Sequence, residues 1–274
     1  MTTHGTEHLT PLEKTLLITL KGRALDSTAR TSFLHDDLAA ELAGRLDHDL
    51  GTVSLGLGVR EGIGLRTSML DRAVGSFVHA HPDAVVVELG SGLETRMSRL
   101  DPPATVDWFD IDLPDVIALR EAMMPAYENA HPVGTSLLDP QWTQAVPADR
   151  PTILVADGLL GFLSEAETTT LLRRITGHFT AGELVTNAYT RFTARLTGHY
   201  TASVGIPKGY RSYGFDDPGH LATLDPALSF VDEQTRATAP ERERLSAAAR
   251  LNLRLMAHWP SLLRHGPWVL RYRF

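Results

Sequence analysis

The stretch Val85-Val86-Val87-Glu88-Leu89-Gly90-Ser91-Gly92-Leu93-Glu94-Thr95-Arg96 carries the chemistry of a ligand site. An apolar run ends in an acid, passes through Gly-x-Gly and leads into a segment able to start a helix. Such a run reads as a buried parallel strand turning sharply beneath a nucleotide-like ligand. Gly90 and Gly92 allow backbone conformations, and a closeness of ligand, that a side chain would block. Asp112 lies 20 residues after Gly92, just past a second apolar run, where an acid can accept hydrogen bonds from both ribose hydroxyls. Asp110 competes for that role, because alternation sets the two acids on the same side of a strand.

The residue types also discriminate between nucleotides. A dinucleotide fingerprint needs glycine or alanine at its third position, so that helix and strand close around a pyrophosphate. Thr95 stands there, and the chain has no phosphate-binding lysine loop. Glu88, at the end of the first strand, suits a cationic ligand end better than a pyrophosphate. S-adenosylmethionine (SAM) has a sulfonium, an amino-acid head and an adenosine but no phosphate. The residues therefore favour SAM over NAD.

The elements that must hold these residues follow from periodicity. Residues 10–80 read as helical: Leu38, Leu42 and Leu46 step by four, and Met69, Ala73 and Phe77 form an apolar face with Leu70, Val74 and Val78. From residue 84 strands and helices alternate. Val85–Leu89, Thr105–Ile111, Thr152–Ala156 and Glu183–Asn187 read as strands. Pro114 opens a helix toward Ala130, and Ser164 with Glu167 forms a capping box before Leu171, Leu172, Ile175 and Phe179. Residues 189–222 break the rhythm with four tyrosines and the turn Asp216-Asp217-Pro218-Gly219, as a lid or substrate pocket would. Leu228–Asp232 is a strand, a helix runs through Leu245, Ala248, Leu251 and Leu255, and a last strand lies near Trp268–Phe274. The alternation predicts an α/β fold with a parallel, doubly wound sheet.

Composition narrows the function classes. The 274 residues, 43% hydrophobic and 22% charged, suffice for one large domain. A net charge of -7 gives no reason to expect nucleic acid or an anionic membrane as partner. Cysteine is absent, which excludes disulfides, thiolate metal sites and a cysteine nucleophile. The twelve histidines show no metal-ligand spacing, so no metal is expected. Apolar runs fall short of the ~20 residues that cross a bilayer, and Leu16–Leu20 is too short for a signal core. A cytoplasmic protein acting on a small molecule is the expectation.

Several ordered motifs resemble the leucine carboxyl methyltransferase superfamily, especially its bacterial branch of tetracenomycin-type polyketide carboxyl O-methyltransferases. They are Glu13-Lys14-Thr15-Leu16-Leu17-Ile18, Arg23-Ala24, Leu65-Arg66-Thr67, the glycine stretch, Trp108 to Ile117, Ser136 to Trp142, Val155 to Leu160 and Gly214 to Pro218. The resemblance spans residues 11–220. It implies a Rossmann-like class I methyltransferase with a mostly parallel seven-stranded sheet and a lid insertion after the fifth strand. N-terminal helices (1–80) would cover a SAM-binding domain (81–274). It implies Arg66 on the SAM carboxylate, Gly90 against the methionine, Asp112 on the ribose, and Ser136 and Leu137 beside adenine. Asp157 stands where the family usually has glutamate at the methionine amino group, and aspartate is one methylene shorter. Leu65-Arg66-Thr67 would open the long helix, and Asp139-Pro140-x-Trp142 reads as a structural turn and anchor.

The reaction expected is methyl transfer to a carboxyl or hydroxyl of a small natural product such as a polyketide. A carboxylate acceptor is already ionised and needs no base. His199 and Tyr200 in the lid are the candidates for substrate contact, and His79 and His81 read as helix-end residues. Three alternatives stay open: a SAM-consuming cyclase that releases methylthioadenosine, motivated by Asp157; an NAD-dependent oxidoreductase, disfavoured by Thr95; and a non-catalytic SAM-fold binding protein.

Overall fold

The glycine stretch begins on the central strand. β1 (Val85–Leu89) is buried at every position and pairs in parallel with β2 (Asp107–Asp112) on one side and β4 (Thr152–Ala156) on the other. β3 (Ala130–Gly134) lies outside β2, and β5 (Gly182–Asn187) lies outside β4, both parallel. β6 (Ser229–Thr235) and β7 (Trp268–Arg273) complete the far edge by antiparallel pairing. This computed structural model describes residues 5–46, 50, 53, 55–201, 213–256 and 259–274, without the side chains of 197–201 and 260. Among them the seven strands run β3-β2-β1-β4-β5-β7-β6. The chain moves outward from β1 in both directions, so the switch in order falls between β1 and β4. Open α/β sheets bind ligands in the crevice beyond the carboxyl ends of such strands.

Alternation along β1 divides the core. Val85, Val87 and Leu89 join the cluster built on Leu171, Leu172 and Ile175 of α6 (Glu165–His178). Val86 faces the cluster of Leu65, Met69, Leu70 and Val74 from α3 (Leu57–Ala80). Glu88 follows Val86 in the same register, so an acid enters the α3 side of the core. The capping box of Ser164 and Glu167 starts α6 as expected. His81 caps the end of α3, its N–H donating to the Phe77 carbonyl.

α1 (Leu16–Ser27) lies against α3 through two glycine contacts. A Cβ on Gly22 would come within 2.5 Å of Ile63, and one on Gly64 within 2.9 Å of Asp26. α2 (Asp37–Arg45) is capped by Asp36 and buries Leu42, with Leu46 buried just beyond its end. α4 (Arg96–Leu100) follows the glycine loop, and α5 (Pro114–Met123) starts at its first-turn proline. α7 (Arg191–Thr201) follows β5, α8 (His220–Leu224) contacts α6 and β6, and α9 (Ala247–Met256) and α10 (Pro260–Leu263) contact each other. No helix among the described residues is long and apolar enough to cross a membrane.

Three sequence expectations need correction. The helix from Pro114 stops at Met123, and Ala130 begins β3 instead of ending that helix. Met124 is extended (φ -79°, ψ 153°) because Pro125 follows it, and a residue before proline is pushed out of the helical region. The long helix opens at Leu57, two turns before Leu65-Arg66-Thr67. β2 begins at Asp107 and includes Asp112 as its last residue.

Candidate active site

The glycine loop owes its shape to backbone conformation. Gly90 (φ +69°), Gly92 (φ +49°) and Gly158 (φ +74°) occupy the left-handed region. A Cβ on Gly90 would stand 3.3 Å from Leu159 Cδ1, and one on Gly92 would stand 3.3 Å from Leu16 Cβ. Asp112 ties the loop to β2: its Oδ2 accepts from the Gly92 N–H at 2.7 Å and its Oδ1 from the Leu113 N–H at 2.7 Å. Burial raises the Asp112 carboxyl above its ordinary range, and those two donors oppose the rise. Each oxygen keeps a lone pair for a ribose hydroxyl. Asp110, its competitor, is buried and paired with Arg120 at 2.8 Å, and Arg120 also donates to the Glu94 carbonyl.

A ring of charges lies on the α3 side of this loop. Arg66 of α3 pairs its Nε with Asp157 Oδ1 at 2.7 Å, just past β4. Arg66 Nη1 reaches the Tyr189 hydroxyl at 3.4 Å, and its buried Nη2 has no hydrogen-bond partner among the described residues. Glu88 accepts from Arg96 Nη1 at 2.5 Å. Burial pushes the Glu88 carboxyl up to about 7, against the pull of Arg96. Arg96 itself is fully buried and also pairs with Asp71 at 2.7 Å.

Thr95 has a structural use at the third fingerprint position. Its hydroxyl donates to Asp36 at 2.6 Å and accepts from Arg23 and Arg99. Arg23 bonds Asp36 and the Leu93 carbonyl, while Arg99 bridges Asp71, Glu94 and Asp36. α1 and α2 are thereby fastened to the glycine loop. Arg23, Arg96, Arg99, Asp36, Asp71 and Glu94 were not among the site residues expected from sequence. The adjacency of Glu94, Thr95 and Arg96 to Gly-x-Gly and the Arg23-Ala24 motif hinted at some of them.

The structure thus brings Arg66, Glu88, Gly90, Gly92, Asp112 and Asp157 to one crevice at the switch point. Ser136 and Leu137 form a turn after β3, where the Ser136 carbonyl accepts from the Asp139 N–H. The Leu137 carbonyl accepts from Trp142 Nε1 at 3.2 Å, and Trp142 is buried as a packing anchor. His199 and Tyr200 fall in the last turn of α7, and their side chains lie outside the described residues, as does Tyr210.

The crevice fits SAM on its own atoms. The unpartnered Arg66 Nη2 offers a buried donor to a carboxylate, and Asp112 offers acceptors to a ribose. A Cβ on Gly158 would lie 4.0 Å from that Nη2, so the glycine leaves the donor open. Fold and site together define a class I SAM-dependent methyltransferase. A candidate methyltransferase of Thermobifida fusca shares the fold (TM-score 0.58, 13% identity, 92% of each chain). So does the magnesium protoporphyrin IX methyltransferase of Synechocystis, solved with bound SAH (TM-score 0.51, 13% identity, 86% of this chain and 93% of that one). The leucine carboxyl methyltransferase family model matches residues 17–176. The tetracenomycin polyketide synthesis O-methyltransferase TcmP of Streptomyces glaucescens is 34% identical over 235 residues, 86% of this chain and 87% of that protein. The SAM-dependent methyltransferase dpfgK of Gibberella zeae is 31% identical over 253 residues, 82% and 83% of the two chains. The chain belongs to the leucine carboxyl methyltransferase family.

Proposed function

We propose that the protein transfers a methyl group from SAM to a carboxyl or hydroxyl oxygen of a small natural product such as a polyketide. The observation that carries this reading is the pairing of Arg66 and Asp157 beside a positive-φ glycine loop at the switch point. A cation and an anion so placed match the carboxylate and ammonium of an amino-acid head. Asp112 would hold the ribose, with Ser136 and Leu137 beside the adenine. Bound SAM supplies a methyl group already activated by its sulfonium.

The chain's own task is alignment and exclusion of water. Residues 1–80 would cover the crevice, and residues 189–222 would close over the acceptor, with His199 and Tyr200 in contact with it. A cavity of about 420 Å³ opens beside Thr190, one residue past Tyr189, lined by Arg191, Phe192, Arg195, Asp216, Ser261, Arg264 and His265. Asp216 lies beside Arg191 and Glu233 pairs with Arg264 at 2.7 Å, so the charges lining it are mixed. A carboxylate attacks without a general base.

Incubation with SAM and a panel of polyketide acids should release SAH and the methyl ester, read by mass spectrometry. Absence of SAH binding by calorimetry would overturn the reading. Asp157 supports a second one, in which SAM is cyclised and methylthioadenosine released, because it is one methylene shorter than the glutamate usual at that position and is paired with Arg66. SAM incubated without acceptor separates the two by product: methylthioadenosine appears only in the second.

A further inference from the structure

Arg96 stands among four acids contributed by four separate segments. Its Nε bonds Asp71 of α3 at 2.7 Å, and its Nη1 bonds Glu88 of β1 at 2.5 Å. Its Nη2 is different. It lies 3.8 Å from Asp157 Oδ2 and 4.0 Å from Glu94 Oε2, and it has no hydrogen-bond partner among the described residues. A buried charged donor without a partner is costly, so this one has a use. Two of the three guanidinium nitrogens are clamped, which fixes the third between Asp157 Oδ2 and Glu94 Oε2.

We propose that Arg96 is a positioning residue for the amino-acid end of the bound cofactor, acting through Asp157. The inference rests on the SAM reading of the crevice. Asp157 has two cationic neighbours, and they differ in freedom. Arg66 stands 2.7 Å from it through Nε without hydrogen-bond geometry, and its Nη2 is also unpartnered among the described residues, so Arg66 is loosely held. Arg96 is fully buried and bonded to two other segments, so it stays. Asp157 needs a fixed neighbour if its free lone pairs are to meet an ammonium group at a constant place. Nη2 of Arg96, 3.8 Å from Asp157 Oδ2, is that neighbour.

The test compares two ligands by calorimetry on wild type, R96K, R96M and D157N. SAH carries the amino-acid head, whereas methylthioadenosine has the same nucleoside and no head. R96M is expected to weaken SAH roughly 10- to 100-fold and to leave methylthioadenosine within about twofold of wild type. D157N should show the same selectivity, and adding R96M to it should cost little more. R96K, which restores the charge and one donor, should recover part of the SAH affinity. Equal losses for both ligands would overturn the proposal, since a residue that only holds α4 to β1 makes no such distinction. An unchanged SAH affinity would also overturn it. If R96M does not fold, the same comparison on R96K decides. Wild type that binds neither ligand refutes the SAM reading and the proposal with it, whereas equal losses refute only the role of Arg96.

Discussion

Replacing Glu88 by glutamine should make the protein more stable than wild type at high pH, though it removes a buried ion pair. Glu88 is 3% exposed on the central strand. Burial opposes its charge and Arg96 favours it, and burial wins: the carboxyl rises from 4.5 to about 7. An acid raised on folding holds its proton more tightly in the folded chain. Its contribution to stability is fully present below pH 4.5 and is lost as pH climbs through 7. A difference of about 2.5 pH units at 1.36 kcal/mol each gives a loss of about 3 kcal/mol. Glutamine mimics the protonated acid, still accepts from Arg96 and does not titrate. The stability of E88Q relative to wild type should therefore increase by about 3 kcal/mol between pH 4.5 and 8, or roughly 6–12 °C in melting temperature. Urea unfolding of both proteins across that range measures it. Asp112, also raised by burial, titrates in both proteins and cancels in the difference, whereas Asp110 acts on the Glu88 charge and is altered by its removal. A difference that stays flat, or falls as pH rises, would show that Arg96 outweighs burial and would refute the reasoning.

Three further outcomes follow from the same geometry. R23M removes a buried cation from Asp36 and Glu94 and a donor from the Leu93 carbonyl, and should cost about 3–5 kcal/mol in urea unfolding. G90A forces a side chain into φ +69° and should cost about 1–2 kcal/mol, read as a lower melting temperature with the Leu159 contact absorbing the added methyl. D112N weakens the anchor of Gly92 and the ribose acceptors together. It should reduce the affinities for SAH and for methylthioadenosine alike, each roughly tenfold or more by calorimetry.

What could be read from the sequence was whatever had a local cause. Val85–Leu89 is buried on both faces and so is apolar throughout, and Ser164 with Glu167 makes its cap within one turn. Gly90 and Gly92 are glycines because the loop turns through positive φ there, and this needs no knowledge of distant residues. β3 was not legible, because Ala130-His131-Pro132-Val133-Gly134 is a half-exposed edge strand without apolar alternation, where a proline is tolerated. Residues 57–64 read as helical, but Gly58, Gly62 and Gly64, poor helix formers, obscured that the long helix opens at Leu57. Gly64 is there because α1 comes so close that a Cβ would strike Asp26, a reason that exists only in three dimensions. The ion network was invisible for the same reason. Arg23 and Glu94 are 71 positions apart, and a pair of charges at that separation leaves no periodic trace.

That network has a consequence for how the crevice treats its ligands. Its linked groups are the guanidiniums of Arg23, Arg66, Arg96 and Arg99 and the carboxylates of Asp36, Asp71, Glu88, Glu94 and Asp157. With Glu88 protonated, four positive charges face four negative ones and the cluster is neutral. Above the Glu88 transition near pH 7 it is one positive charge short, in a place where water cannot screen the deficit. SAM carries one net positive charge and SAH none. The ratio of SAM to SAH affinity should then rise from pH 6 to 8, so that the charges fastening the N-terminal helices to the sheet also favour the fresh methyl donor over its used form.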